Sequence, residues 1–118
     1  MRILITGGCG FIGSNLAIFL KGKIKNVKIT SIDNLSRKGS QLNHKRLSRK
    51  GIKNFKINIV DSNKLIKLPK FDLIIHCAAE PAIEVSRKKT EKVFKSNLVG
   101  TFNVLQKCAK DKSNIIYL

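Results

Sequence analysis

The first thirteen residues constrain this chain more than any other part of it. Residues 2–6, Arg-Ile-Leu-Ile-Thr, form a short apolar run that suits a strand buried in a parallel sheet. Gly7-Gly8-Cys9-Gly10-Phe11-Ile12-Gly13 follows at once. From Phe11 to Lys21 the apolar residues Ile12, Leu16, Phe19 and Leu20 recur at helical spacing, with Gly22 placed as the stop. Strand, glycine loop and helix in that order suit a pyrophosphate. Gly7 permits the tight turn, Gly10 lets backbone approach phosphate without a Cβ, and Gly13 lets the helix pack closely on the sheet, while the helix N-terminus attracts the anion. A glycine triplet alone is weak evidence; its position between a strand and a helix strengthens it.

Asp33 lies 20 residues beyond Gly13, at the end of a second strand expected from Val27 to Ile32. A carboxylate at that point accepts hydrogen bonds from the adenosine ribose hydroxyls of a dinucleotide. It also repels a 2′-phosphate, which favours NAD over NADP; Arg37 and Lys38 nearby keep NADP in play.

The rest of the chain continues the alternation. Ser36 to Gly51 is basic and polar, with Leu42 and Leu47 as its apolar anchors, and reads as a long loop or a weak helix. Phe55, Ile57 and Ile59 alternate with polar residues, so 54–60 is a third strand. Leu65 to Leu68 is a short helix ended by Pro69, Phe71 to Cys77 a fourth buried strand, Thr90 to Lys110 a long helix, and Asn114 to Leu118 the opening of a fifth strand. Strands alternating with helices specify an α/β fold: a Rossmann-like, doubly wound parallel sheet with strand order 3-2-1-4-5. No internal boundary divides the 118 residues. A strand rarely ends a domain without its following helix, so the expectation is the N-terminal part of a larger NAD-binding domain, truncated at the fifth strand.

Composition narrows the function further. No run of 18 apolar residues exists, and the N-terminus lacks the long apolar stretch and cleavage site of a signal peptide, so a cytoplasmic protein with no membrane partner is expected. Cys9, Cys77 and Cys108 stand far apart, which excludes a disulfide framework and a zinc ribbon; no metal set is expected. The formal charge of +17 comes from 24 Lys and Arg against 7 Asp and Glu. Nineteen of those cations are Lys, scattered along the chain, and Asn and Ile are also abundant at 10 and 16, which points to a biased coding sequence more than to a selected patch. With a single Tyr and no Trp to stack on bases, nucleic acid is not the expected partner.

Thr6-Gly7-Gly8-Cys9-Gly10-Phe11-Ile12-Gly13 resembles the opening of the extended short-chain dehydrogenase/reductase family, the NAD-dependent nucleotide-sugar epimerases and dehydratases. Asp33-Asn34-Leu35-Ser36, His76-Cys77-Ala78-Ala79 and Asn97-x-x-Gly100-Thr101 are similar to its later motifs, in the same order. Cys9 and the stretch Asp33 to Gly39 look most like the 2-epimerases acting on CDP-paratose and CDP-tyvelose. The resemblance covers essentially the whole chain. It implies that Gly7, Gly10, Phe11, Ile12 and Gly13 hold the pyrophosphate, that Asp33 and Asn34 hold the adenosine ribose, and that Cys77, Ala78 and Ala79 line the cofactor cleft.

The family's Gly-Asp-Ile at the third strand's end is replaced here by Ile57-Asn58-Ile59, where Asn58 can still accept from the adenine amino group. Asn97 matches the helix asparagine that braces the sheet and the active-site backbone. His76 falls at a structural position, Glu80 has no assigned role, and Ser86 is placed near the cofactor. The catalytic Ser/Thr and Tyr-x-x-x-Lys of the family have no counterpart: Tyr117 is a strand residue followed by Leu118, so no catalytic residue is named. The implied activity of the intact protein is epimerisation of a nucleotide sugar through transient oxidation by bound NAD, in a homodimer. A 4,6-dehydratase or reductase of the same family is the second reading. A truncated, non-catalytic nucleotide-binding protein with an anionic partner is the third.

Overall fold

The computed structural model describes residues 1–80 and 89–118. Five parallel strands form one sheet: β1 (Arg2–Thr6), β2 (Lys28–Asp33), β3 (Lys53–Lys56), β4 (Leu73–His76) and β5 (Asn114–Tyr117), in the order 3-2-1-4-5. Thr6 lies level with Ile32 on one side and His76 on the other, so the C-terminal tips of the three central strands end together. This is the expected Rossmann-like topology.

Side chains alternate across the sheet, and each face has its own core. Ile3 and Ile5 face α1 (Phe11–Lys23) and α2 (Ser40–Arg49), meeting Ala17, Val27, Leu47 and Ile75. Leu4, Ile32 and Ile74 face the other way, onto Leu65 of α3 (Ser62–Ile66), Phe71, Val104 and Cys108.

Several boundaries differ from the sequence expectation. The short helix expected from Leu65 to Leu68 is Ser62–Ile66, where the Asp61 carboxylate accepts the Lys64 N–H and starts it earlier. Strand β4 is Leu73–His76, shorter than the expected run 71–77. Helix α1 runs through Gly22 to Lys23, because Gly22 keeps a negative φ; the left-handed residue that turns the chain is Asn26, at φ 60°. Strand β3 stops at Lys56 instead of residue 60: Asn58 accepts the N–H groups of Asp61 and Val60 through its main-chain and side-chain oxygens and curls the chain away from the sheet. The basic stretch after Ser36 is a real helix, α2, anchored by Leu47; Leu42, expected as a second anchor, is 67% exposed.

The long helix expected from Thr90 is present with an interruption. Thr90–Phe94 and Gly100–Asp111 are α-helical, and Lys95–Val99 between them is a π-helical turn, in which Gly100 N–H donates to the Lys95 carbonyl. We call the whole element, residues 90–111, α4. Its last turns fasten the entrance to β4. Lys107, 1% exposed, donates through Nζ to the Leu68 and Pro69 carbonyls at 3.1 and 3.0 Å and to both carboxylate oxygens of Asp111 at 2.6 Å. Asp111 in turn accepts from the Phe71 N–H at 3.0 Å.

Candidate functional site

In an open parallel sheet the ligand crevice lies outside the carboxyl ends of the strands, where the loops part to opposite faces. Here the loops after β1, β2, β3 and β4 surround a cavity of about 400 Å3. Gly7, Gly10, Phe11, Ile12 and Gly13 form one wall, Asp33 and Asn34 a second, Asn58 and Ile59 a third, and Cys77, Ala78 and Ala79 the fourth. The folded chain thus collects every described residue singled out for the cofactor except Asn97 around one space.

The glycine wall is built by exclusion. Gly7 has φ +65°, and a Cβ there would stand 2.8 Å from the Ala78 backbone, so β1 can turn against β4 only with glycine. A Cβ on Gly13 would collide with the Gly7 carbonyl, which is how α1 approaches the loop so closely. No side chain caps α1, whose first-turn N–H groups are therefore left for the oxygens of an anion.

Asp33 is held in place by the backbone. One carboxylate oxygen accepts the Cys9 N–H at 3.0 Å and the other the Leu35 N–H at 2.8 Å, with Leu35 bent into φ 58° to reach it. Each oxygen keeps a lone pair for a ribose hydroxyl. Cys9, between Gly8 and Gly10, is locked from its other side too, since its carbonyl accepts from Asn43 of α2 at 2.9 Å. Burial, and then the Asp33 charge, pushes its thiol up to about 12, so Cys9 stays a protonated packing residue. Cys77 is likewise pushed up by burial, to about 11.

The Asn58 side-chain oxygen accepts the Val60 N–H at 3.1 Å and retains one lone pair toward the cleft. His76 is 1% exposed and sits in a chain of hydroxyls: Nδ1 is 2.6 Å from Thr6 Oγ1 and Nε2 3.0 Å from Thr101 Oγ1. Thr6 Oγ1 also accepts the Ala78 N–H at 3.2 Å. Burial drives the imidazolium down to about 4, so His76 is neutral and ties β1, β4 and α4 together instead of moving protons.

Asn97 stands behind the cleft. Its side chain grips the Glu80 backbone from both sides, accepting the N–H at 2.7 Å and donating to the carbonyl at 3.2 Å. It positions the wall without facing the cavity. Tyr117 lies against His76 with ring centroids 5.3 Å apart, as a strand residue would. Ser86 lies outside the described residues. Arg37, expected near the ribose site, also lines the cavity, and sequence reasoning missed, among the lining side chains, Lys92 and Ser96. Lys92 and Ser96 are four residues apart on α4 and precede Asn97, a spacing that carried the signal. Among the described residues no His, Cys, Asp and Glu cluster could hold a metal, and no helix is long and apolar enough to cross a membrane.

The chain is similar to known proteins over almost its whole length. A family model described as the NAD dependent epimerase/dehydratase family matches residues 3–118. A dTDP-D-glucose 4,6-dehydratase from Dictyostelium discoideum is 40% identical over 116 residues, covering 94% of this chain and 26% of that protein. A CDP-paratose 2-epimerase from Salmonella typhi is 38% identical, covering 99% and 36%. The solved UDP-glucose 4-epimerase of Thermus thermophilus in complex with NAD superposes with a TM-score of 0.80 at 28% identity, over 95% of this chain and 35% of that one. The chain thus spans about a quarter to a third of the length of these relatives.

Proposed function

The chain belongs to the NAD dependent epimerase/dehydratase family, and from that membership we propose that it is the NAD-binding front portion of a nucleotide-sugar epimerase. The observation that carries this reading is the convergence of the uncapped α1 N-terminus, the glycine wall and the Asp33 carboxylate on one cavity. The residues fit the cofactor's chemistry: amides and a helix N-terminus for the pyrophosphate, a fixed carboxylate for the ribose, and Asn58 with Ile59 for the adenine. NAD, when bound, supplies a hydride acceptor for a sugar carbon and returns the hydride to the opposite face. This chain's own residues bind and orient it; in this reading the Ser/Thr and Tyr-x-x-x-Lys that move protons lie outside residues 1–118.

Titration of the chain with NAD+ by calorimetry tests the cofactor reading. Saturable binding is expected, weakened about tenfold or more by Asp33→Ala, which removes a charged hydrogen-bond acceptor. Absence of binding would sink it. A 4,6-dehydratase reaction is the second reading, favoured by the 40% identity to the Dictyostelium enzyme. Incubating the longer protein with CDP-, dTDP- and UDP-sugars separates the two: epimerisation conserves mass, and dehydration loses one water.

The same reading includes a homodimer. Phe94, Leu98 and Phe102 recur every four residues along α4 and are 55%, 59% and 57% exposed, an apolar stripe that a second copy would cover.

A further inference from the structure

Glu80 lies in the connection after β4 with a side chain only 9% exposed. Its backbone is clamped by Asn97, so the carboxylate projects from a fixed base. Two cations flank it. Lys92 of α4 reaches one oxygen at 3.1 Å, and Arg37, in the connection between β2 and α2, stands 3.8 Å from the other. Arg37 lines the same cavity as Asp33 and Asn34.

That placement matters for cofactor choice. An arginine close after the ribose-binding acid is the group that accommodates the 2′-phosphate of NADP in this type of cleft. Asp33 opposes such a phosphate, but both its oxygens already accept backbone N–H bonds, which offset part of its charge. A chain with 24 cations against 7 anions also attracts the more highly charged dinucleotide. A second anion at the cleft is needed to hold the balance, and Glu80 is placed to be that anion.

We propose that Glu80 is a specificity-determining residue, which pairs with Arg37 and withholds its guanidinium from a 2′-phosphate, keeping the cleft selective for NAD. The inference rests on the NAD-binding reading given above. Lys92 steadies the carboxylate from the α4 side, and Asn97 fixes the backbone beneath it. Three elements therefore set one charge.

The test is calorimetric titration of the chain with NAD+ and with NADP+ at one fixed salt concentration. Wild type, Glu80→Gln, Arg37→Leu and the double variant are compared. Wild type is expected to prefer NAD+. Glu80→Gln should shift the preference about tenfold toward NADP+, as expected for one released charge pair. Arg37→Leu alone should change the ratio by less than about twofold, and in the double variant it should cancel the gain.

An unchanged ratio in Glu80→Gln, or a gain that survives in the double variant, overturns the proposal. A chain that binds neither dinucleotide overturns the NAD-binding reading and this one with it. One that binds NAD+ but ignores Glu80 overturns only this one. Circular dichroism verifies folding. Should Glu80→Gln not fold, Glu80→Asp, which draws the carboxylate back from Arg37, is expected to shift the ratio about threefold in the same direction; no shift there overturns the proposal equally.

Discussion

His76 and Gly13 show how single side chains, or their absence, hold the crevice together. Burial lowers the His76 pKa from 6.5 to about 4, whereas the unfolded chain takes up its proton near 6.5. Between those values the unfolded state binds more protons, so stability falls as pH drops, with a slope of up to about 1.4 kcal/mol per pH unit. Urea unfolding between pH 7 and pH 5 should show that decline, and His76→Asn should start lower and flatten it. An equal slope in both would remove His76 as its source. Gly13 and Gly22 share α1 but differ in surroundings: a Cβ on the first meets the Gly7 backbone, and one on the second meets nothing within 4 Å. Gly13→Ala should therefore cost about 1–3 kcal/mol by overpacking. Gly22→Ala should stabilise by about 0.5–1 kcal/mol through helix propensity. Both changes are read from urea midpoints.

The elements follow from patterning where the patterning is strong. The runs 2–6 and 71–77 and the repeat along α4 left little choice of structure type, because a buried strand and a two-sided helix each have a period that few other structures satisfy. Legibility failed where local hydrogen bonds outrank the period. Asn58 ends β3 although Ile57 and Ile59 continue the alternation. The glycine wall, Asp33 and the β4 tip were readable because each is a short contiguous motif. The contacts of Arg37 and Lys92 with Glu80 join residues 43 and 12 positions apart, and no local spacing announces such a pairing. Lys107 was equally hidden: a lysine on a predicted helix reads as solvated, but here it closes the entrance to β4 beside Asp111. Lys107→Met should cost about 3–5 kcal/mol, since it leaves a buried carboxylate without its cation. Adding Asp111→Leu should recover part of that loss; if the double variant is no better than the single, the pair is not the reason for the cost.

Over the whole molecule, a charge of +17 on 118 residues works against compactness, because like charges repel more strongly in the folded state than in the extended one. Raising NaCl from about 20 to about 300 mM shortens the screening distance severalfold, and the melting temperature is expected to rise with it. A fall would mean that exposed ion pairs such as Lys95–Glu91 outweigh the repulsion. Helix α4 runs from the cleft, where Lys92, Ser96 and Asn97 serve the site, to the opposite end of the sheet, where Lys107 and Asp111 fasten the entrance to β4. The π-turn at residues 95–99 carries Ser96 and Asn97 themselves and precedes the half that reaches the core. One surplus residue in a helix is a phase shift of about 100°. Deleting one residue there would give a more regular helix, yet the half carrying Asn97 would be dialled about a third of a turn out of step with the half anchored beneath it. Length within this helix is thus under a tighter rule than identity: many substitutions between 95 and 99 keep both halves aimed, and no single deletion does.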